Sequence, residues 1–295
     1  MGMFDKMRQR RREKQNKKTK SHRKEYLLND KTPFDVTEAF RNLKASLSVS
    51  MPKTKEGGVA VTVTSSYPED GKTTITANLA LMFAMSDAKV VLVDADIRKG
   101  RIAKYFKYKS APGLSDYLSG QVSLDEVLHN SHVNDNLFFI PCGTHSPKPY
   151  ELLESEAMNE LIKELKQRFD YVVFDTPPIL LVSDAIAVAS KTEGTVLVCR
   201  HLLSYVSDMQ KSLSTLEFAK ANVLGIVVND YHAPSGKMYG GYHKYYHYSK
   251  YSYGYSYGST NPDEQDVEEA EQPSAPAEQS GQATSEPVAE QTQSE

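Results

Sequence analysis

The chain contains 295 residues with a formal net charge of -3, and 39% of its residues are hydrophobic and 25% charged. This length fits one large α/β domain with appended segments, and no apolar run reaches the ~18 residues of a membrane-spanning helix. Two cysteines, Cys142 and Cys199, exclude a disulfide framework and a C-x-x-C metal site, so we expect a protein of the reducing cytoplasm.

The charges are distributed unevenly. Residues 1–24 contain eleven Lys or Arg and two acids, whereas residues 259–295 contain ten acids and no Lys or Arg. Both segments are poor in large apolar residues and cannot bury enough surface to fold alone. The sequence therefore predicts four parts: a disordered basic arm over 1–30, a globular domain over 31–235, a tyrosine-rich segment over 236–258 and a disordered acidic tail over 259–295.

The first predicted element is a helix that begins near residue 36. Asp35 and Glu38 have the spacing of an N-terminal capping box. Phe40, Leu43 and Leu47 fall on one face, which we expect to be buried.

Short β-branched runs then alternate with helical patterns. The runs predict strands over 58–64, 89–95, 137–142, 171–176, 195–199 and 223–229. The helical patterns cover 72–86, 156–168 and 204–221. This alternation predicts an α/β fold with a doubly wound, mostly parallel sheet, which binds ligands beyond the carboxyl ends of its strands.

The stretch SSYPEDGKTT (65–74) follows the first strand and opens a helix. It matches the phosphate-binding pattern G-x-x-x-x-G-K-[ST], except that Ser66 stands where the first Gly belongs. In such a loop Lys72 would reach the β- and γ-phosphates and Thr73 would bind Mg²⁺. The alternative is a turn with Gly71 and a surface lysine.

Acidic residues end two other predicted strands. Asp94 and Asp96 leave the second strand at i and i+2, and Asp175 ends a later one before two prolines. Carboxylates that lie close together repel one another and need a cation or a shared proton, and Mg²⁺ is the natural cation beside a triphosphate. The alternative is a solvated strand end.

These motifs together resemble the bacterial tyrosine kinases of the capsular and exopolysaccharide type, which are P-loop proteins of the partition and division ATPase class. The resemblance runs from residue 38 to 258 and includes GLSDYLSG (113–120), YELLES (150–155) and GIVVND (225–230). It implies ATP and Mg²⁺ as cofactors. By this likeness the catalytic residues are Lys72, Asp94, Asp96 and Asp175, and Mg²⁺ is held by Thr73 with the three aspartates. The implied ATP-binding residues are Ser66, Asp70, Gly71, Lys72, Thr73, Thr74 and Asn229.

The sequence departs from the family pattern at two places. Glu69 and Asp70 replace the usual Gly and Glu of the loop, and the extra charge should weaken phosphate binding unless Glu69 points away. The Glu-x-x-Arg-x-x-Arg motif, which joins subunits of the family into a ring, is present as Glu38, Arg41 and Lys44. Lysine cannot make a bidentate contact. The alternative for this motif is helix capping with a solvated charged face.

Nine of the eighteen tyrosines lie within residues 239–258, interleaved with Gly, Ser, His and Lys. Beside a P-loop site this segment is interpreted as a string of phosphoryl acceptors. The predicted autophosphorylation sites are Tyr239, Tyr242, Tyr245, Tyr246, Tyr248, Tyr251, Tyr253, Tyr255 and Tyr257. The alternative is an aromatic segment that stacks on RNA or polysaccharide.

The favoured interpretation is an ATP-dependent protein-tyrosine kinase that phosphorylates its own tyrosine segment in trans and regulates capsular or exopolysaccharide synthesis and export. The resemblance implies a transmembrane activator, a homo-oligomeric ring when unphosphorylated, a tyrosine phosphatase counterpart and no specific nucleic acid. We expect a cytoplasmic protein held at the inner face of the membrane by the activator. The alternatives are an ATPase switch, which would carry a lysine where Tyr67 stands, or a non-enzymatic interaction protein.

Overall fold

The computed structural model describes residues 27–51 and 57–231. Residues 1–26 of the predicted basic arm, the tyrosine-rich segment and the acidic tail lie outside these residues. The described chain contains no helix with the length and apolarity needed to cross a bilayer.

Within these ranges seven strands form one sheet, in the order β3-β4-β2-β5-β1-β6-β7. Their bounds are β1 Val59–Ser65, β2 Val90–Asp94, β3 His129–Asn130, β4 Leu137–Ile140, β5 Tyr171–Asp175, β6 Gly194–Arg200 and β7 Val223–Asn229. Every neighbouring pair is parallel except β3 with β4. The predicted mostly parallel α/β sheet is confirmed.

Nine helices of the described chain cover both faces of the sheet. They are α1 Phe34–Ser50, α2 Lys72–Ala84, α3 Ile102–Tyr105, α4 Leu114–Leu118, α5 Leu124–Val127, α6 Pro149–Glu154, α7 Glu156–Arg168, α8 Asp184–Ala189 and α9 Val206–Phe218. Phe40 of α1 and Phe83 of α2 join the core on one face, and Leu161 of α7 joins the core on the other. Strands β1, β2, β5 and β6 are buried along their whole length, as expected of strands between two helical layers.

The predicted capping box of the first helix is wrong, and the helix begins two residues before the expected start near residue 36. Helix α1 begins at Phe34 with Pro33 as its N-cap, and no side chain caps it. Asp35 therefore lies inside the first turn, where it cannot act as an N-cap. Glu38 forms an ion pair with Arg41 on the same helix instead of completing a capping box. The predicted buried face is present, since Phe40 and Leu47 are buried.

Other differences are small. Strand β3 was not predicted, because it has only two residues, both half-buried and polar. The run 137–142 extends beyond β4, which ends at Ile140. Cys142 and Cys199 are both buried and free, in agreement with the expected absence of a disulfide.

Candidate nucleotide and metal site

Three adjacent strands bring the candidate residues to one edge of the sheet. Strand β5 lies between β2 and β1, and Asp175 at its end is the register partner of both Asp94 and Val63. The loop that follows β1 leads directly into α2, which begins at Lys72. The carboxyl ends of β2 and β5 therefore flank the N-terminus of α2, where backbone N–H groups and the helix dipole favour an anion.

The loop takes a left-handed backbone conformation at two residues, and Ser66 is neither of them. Glu69 has a φ of 70° and Gly71 a φ of 96°. This φ favours glycine at position 71, and a Cβ atom there would also lie 1.9 Å from the Asn229 side-chain nitrogen. Ser66 is fully buried and its Oγ lies 2.8 Å from the Ser212 Oγ. A serine at this place is compatible with the loop because it anchors the loop to α9.

Lys72 and Thr73 meet Asp175 at the N-terminus of α2. The Thr73 hydroxyl donates to Asp175 Oδ2 at 2.7 Å. The Lys72 Nζ lies 3.4 Å from Asp175 Oδ1 and 3.6 Å from Asp96 Oδ2. Lys72 is only 9% exposed. Lys72 therefore neutralises carboxylates that border the predicted phosphate position.

Asp94 is the most isolated acid of the cluster. Its Oδ2 accepts the Ile102 N–H at 2.9 Å, while its Oδ1 is buried without a hydrogen-bond partner. Burial raises the pKa of Asp94 well above its usual range, and the charge of Asp175 raises it further. Burial also raises the pKa of Asp175. Asp175, on the neighbouring strand β5, raises the pKa of Asp94 more strongly than Asp96 does.

The donor set fits Mg²⁺. The Thr73 hydroxyl and the three carboxyl groups provide the oxygen ligands that this cation prefers, and the Asp94 Oδ1 is a buried acceptor without a partner. Among the described residues, no three acidic, histidine or cysteine side chains lie close enough together to hold a metal ion by themselves. An open site agrees with Mg²⁺ chemistry, because this ion keeps waters and binds phosphate oxygens beside few protein ligands.

Asp70 contacts protein groups at the base of the loop. Its Oδ2 accepts the Tyr67 N–H and its Oδ1 accepts the Ser204 hydroxyl, both at 3.1 Å. The Asn229 side chain donates to the Asp70 carbonyl oxygen at 2.9 Å. Of the two acids that depart from the family pattern, Asp70 is thus buried and stabilises the loop, whereas Glu69 is exposed.

The remaining predicted residues make other contacts or lie outside the described residues. The Thr74 and Tyr105 hydroxyls are 2.8 Å apart. Glu38, Arg41 and Lys44 all belong to α1, where Glu38 pairs with the exposed Arg41. The nine predicted acceptor tyrosines lie outside the described residues. Their roles stay predictions.

Sequence reasoning missed an ion pair beside the acids. Arg98 Nε and Nη2 donate to the two Asp184 carboxylate oxygens at 2.6 and 2.9 Å. Asp184 is fully buried at the start of α8, and it raises the pKa of Arg98. Arg98 follows Asp96 within VDADIRKG, which could have drawn attention to it. Asp184 has no such local signal, because only folding brings it to Arg98.

Comparisons with known proteins agree with this geometry. A family model described as an AAA domain matches residues 69–218. The chain is 35% identical over 214 residues to the tyrosine-protein kinase CpsD of Streptococcus pneumoniae, covering 72% of this chain and 92% of that protein. It is 32% identical over 193 residues to the tyrosine-protein kinase ptk of Acinetobacter johnsonii, covering 65% of this chain but only 26% of that protein. The chain thus spans about a quarter of this longer relative.

Solved structures also show similarity to tyrosine kinases, and they add a similarity to division ATPases. The kinase domain of the Escherichia coli tyrosine kinase ETK matches with a TM-score of 0.61 and 32% identity, over 68% of this chain and 79% of that one. The cell division ATPase MinD of Pyrococcus furiosus matches with a TM-score of 0.52 and 27% identity, over 60% and 74%. The chain belongs to the family of bacterial tyrosine-protein kinases, whose kinase domain shares its fold with the MinD-type P-loop ATPases.

Proposed function

We propose that the chain is an ATP-dependent protein-tyrosine kinase that phosphorylates its own C-terminal tyrosine segment in trans. The observation that carries the proposal is the meeting of Lys72, Thr73 and Asp175 at the N-terminus of α2, beside Asp94. The kinship with tyrosine-protein kinases supports it.

In the proposed reaction Lys72 turns from the carboxylates to the phosphates of ATP, and the N–H groups of the loop orient those phosphates. The bond from the γ-phosphorus to its bridging oxygen breaks while a bond to the tyrosine oxygen forms. The phenol proton, with a pKa near ~10 in water, passes to a carboxylate of the Asp94 and Asp96 pair.

Thr73, Asp94, Asp96 and Asp175 would hold Mg²⁺. This ion supplies charge neutralisation to the triphosphate when bound. Water is also excluded from Asp94 and Asp175, since both residues are at most 1% exposed. Asn229, beside Gly71, would lie near the adenine base of ATP.

The tyrosines most suited to accept phosphate are the nine within residues 239–258, because small residues and lysines interleave them. We propose that the chain works with a transmembrane activator, which holds it at the inner face of the membrane. A tyrosine phosphatase would reverse the modification, and the process served would be capsular or exopolysaccharide synthesis and export. Glu38, Arg41 and Lys44 of α1 would join unphosphorylated subunits into a ring.

The test is incubation of the purified chain with γ-labelled ATP and Mg²⁺, with and without the cytosolic tail of the candidate activator. Label on tyrosine supports the kinase. Free phosphate alone supports an ATPase switch of the MinD type, and neither product with the activator tail present contradicts both. Lys72→Met is the negative control, and mixing active chain with Lys72→Met chain tests transfer in trans.

A further inference from the structure

A fully buried arginine lies behind the nucleotide loop and outside the acidic cluster. Arg200 is the last residue of β6, and its side chain is 1% exposed. Its Nε and Nη2 donate to Asp230 Oδ2 at 2.8 and 2.7 Å, and its Nη1 donates to the Glu69 carbonyl oxygen at 3.3 Å. A guanidinium excluded from water needs such partners, because an unpaired buried charge is strongly destabilising.

The carbonyl group that Arg200 contacts belongs to Glu69, whose backbone conformation is unfavourable for a residue other than glycine. Glu69 has a φ of 70°, in the left-handed region where a Cβ atom is crowded and glycine is preferred. No other loop residue between Ser66 and Gly71 has a positive φ. The charge-assisted hydrogen bond from Arg200 thus acts on the carbonyl group of the strained residue itself.

Residues at the ends of β6 and β7 also contact Asp70, the next residue of the loop. The Arg200 N–H donates to the Ser204 hydroxyl, which in turn donates to Asp70 Oδ1. Asn229, which ends β7, donates to the Asp70 carbonyl oxygen. The ion pair between Arg200 and Asp230 therefore lies at the centre of the contacts that fix the loop between Glu69 and Gly71.

We propose that Arg200 and Asp230 form a clamp that keeps the loop in its phosphate-binding shape before ATP arrives. Arg200 is then a positioning residue, which acts on ATP through the Glu69 carbonyl group and the loop. The inference rests on the proposed nucleotide site. It predicts that the need for Arg200 depends on Glu69, because glycine adopts a φ of this kind without assistance.

The test compares Arg200→Met with the unaltered chain. Methionine keeps an apolar stem but removes the guanidinium group. We expect the dissociation constant of a fluorescent Mg²⁺–ATP analogue to rise about 10-fold, as for loss of a charge-assisted hydrogen bond. Amide hydrogen exchange over residues 66–71 should accelerate in the nucleotide-free variant. Adding Glu69→Gly to Arg200→Met should restore most of the affinity, which a general structural defect would not allow.

Arg168→Met is the matched control, because Arg168 pairs with Asp125 and Glu164 on the surface of α7. It should bind the analogue as the unaltered chain does. If Arg200→Met does not fold, Asp230→Asn replaces it, since Asp230 is partly exposed, and a smaller loss of affinity in the same direction is expected.

Unchanged affinity and exchange in Arg200→Met or Asp230→Asn overturn the clamp, as does a loss of affinity that Glu69→Gly leaves unaltered. If the unaltered chain does not bind the analogue, the proposed nucleotide site is wrong, and the positioning of ATP by Arg200 falls with it. Exchange over 66–71 then still shows whether Arg200 orders the loop.

Discussion

Asp94 and Asp175 are register partners on the neighbouring strands β2 and β5, and both carboxyl groups are almost completely buried. Thr73 and Lys72 contact Asp175, whereas the Asp94 Oδ1 has no hydrogen-bond partner. Burial raises the pKa of each group, and the charge of Asp175 raises that of Asp94 further. Charging both acids at once therefore costs stability, because burial and mutual repulsion disfavour the carboxylate form of each.

Removal of one charge should relieve this cost. Asp94→Asn is expected to stabilise the nucleotide-free chain by about 1 kcal/mol, or roughly 2–4 °C in thermal midpoint, while slowing tyrosine phosphorylation at least ~10²-fold. Asp125→Asn is the control, because Asp125 is 83% exposed and should change neither quantity. A lower midpoint for Asp94→Asn would show that the buried carboxylate is not destabilising.

The same acids predict the pH dependence of stability. A carboxyl group with a raised pKa in the folded state binds more protons than in the unfolded chain, so the free energy of unfolding falls as pH rises from about 4 through the raised pKa. Denaturant unfolding of the nucleotide-free chain should show this decline, and Asp94→Asn should reduce its slope. Identical slopes for the two proteins would exclude Asp94 as the source.

Lys72→Met should abolish tyrosine phosphorylation and also lower the thermal midpoint by a few degrees. The second effect follows from the structure, because Lys72 is buried beside Asp175 and Asp96 and its loss leaves their charges less neutralised. Anti-phosphotyrosine signal and calorimetry measure the two effects. Lys163→Met, at an exposed position of α7, should alter neither. Undiminished phosphorylation in Lys72→Met would remove the loop from the mechanism.

The ion pair of Arg98 and Asp184 should position the segment that carries Asp96. Asp184→Asn keeps an acceptor for Arg98 but removes the charge, so we expect the phosphorylation rate to fall roughly 10-fold through misplacement of the acids. Affinity for the ATP analogue should change little, because Arg98 follows β2 and Asp184 begins α8, so neither residue belongs to the loop. Stopped assays and analogue titration separate the two quantities. An equal loss of rate and affinity would mean a general structural defect.

Phosphorylation of the tyrosine segment should control assembly. Nine phosphates would add roughly -14 to -18 charges within residues 239–258. The unphosphorylated chain should therefore self-associate and the phosphorylated chain should be monomeric at physiological salt. Replacing all nine tyrosines by Phe should keep the chain assembled, and adding Arg41→Glu with Lys44→Glu should dissociate it. Light scattering gives the masses, and equal masses for the phosphorylated and unphosphorylated chains would contradict the switch.

The local sequence predicted the loop, six of the seven strands and the four longest helices, but not β3 or the short helices α3, α4, α5, α6 and α8. Alternation of short β-branched runs with helical patterns predicts the parallel sheet, because strands between two helical layers must be apolar on both faces. Gly71, Lys72 and Thr73 are adjacent in sequence and open α2 as predicted. Pattern alone did not place the start of α1, since Asp35 and Glu38 have capping spacing but the helix begins one residue before Asp35.

Tertiary structure alone decided which charges meet. Sequence spacing pairs Asp94 with Asp96, yet the stronger influence on the pKa of Asp94 comes from Asp175, 81 residues away, because β2 and β5 are neighbours in register. Arg98 pairs with Asp184 only after distant parts of the chain come together. The same is true of the ion pair of Arg200 with Asp230 and of its hydrogen bond to the Glu69 carbonyl oxygen. Electrostatic interaction depends on distance and burial in three dimensions, and strand order, which sets both, is not encoded in any local motif.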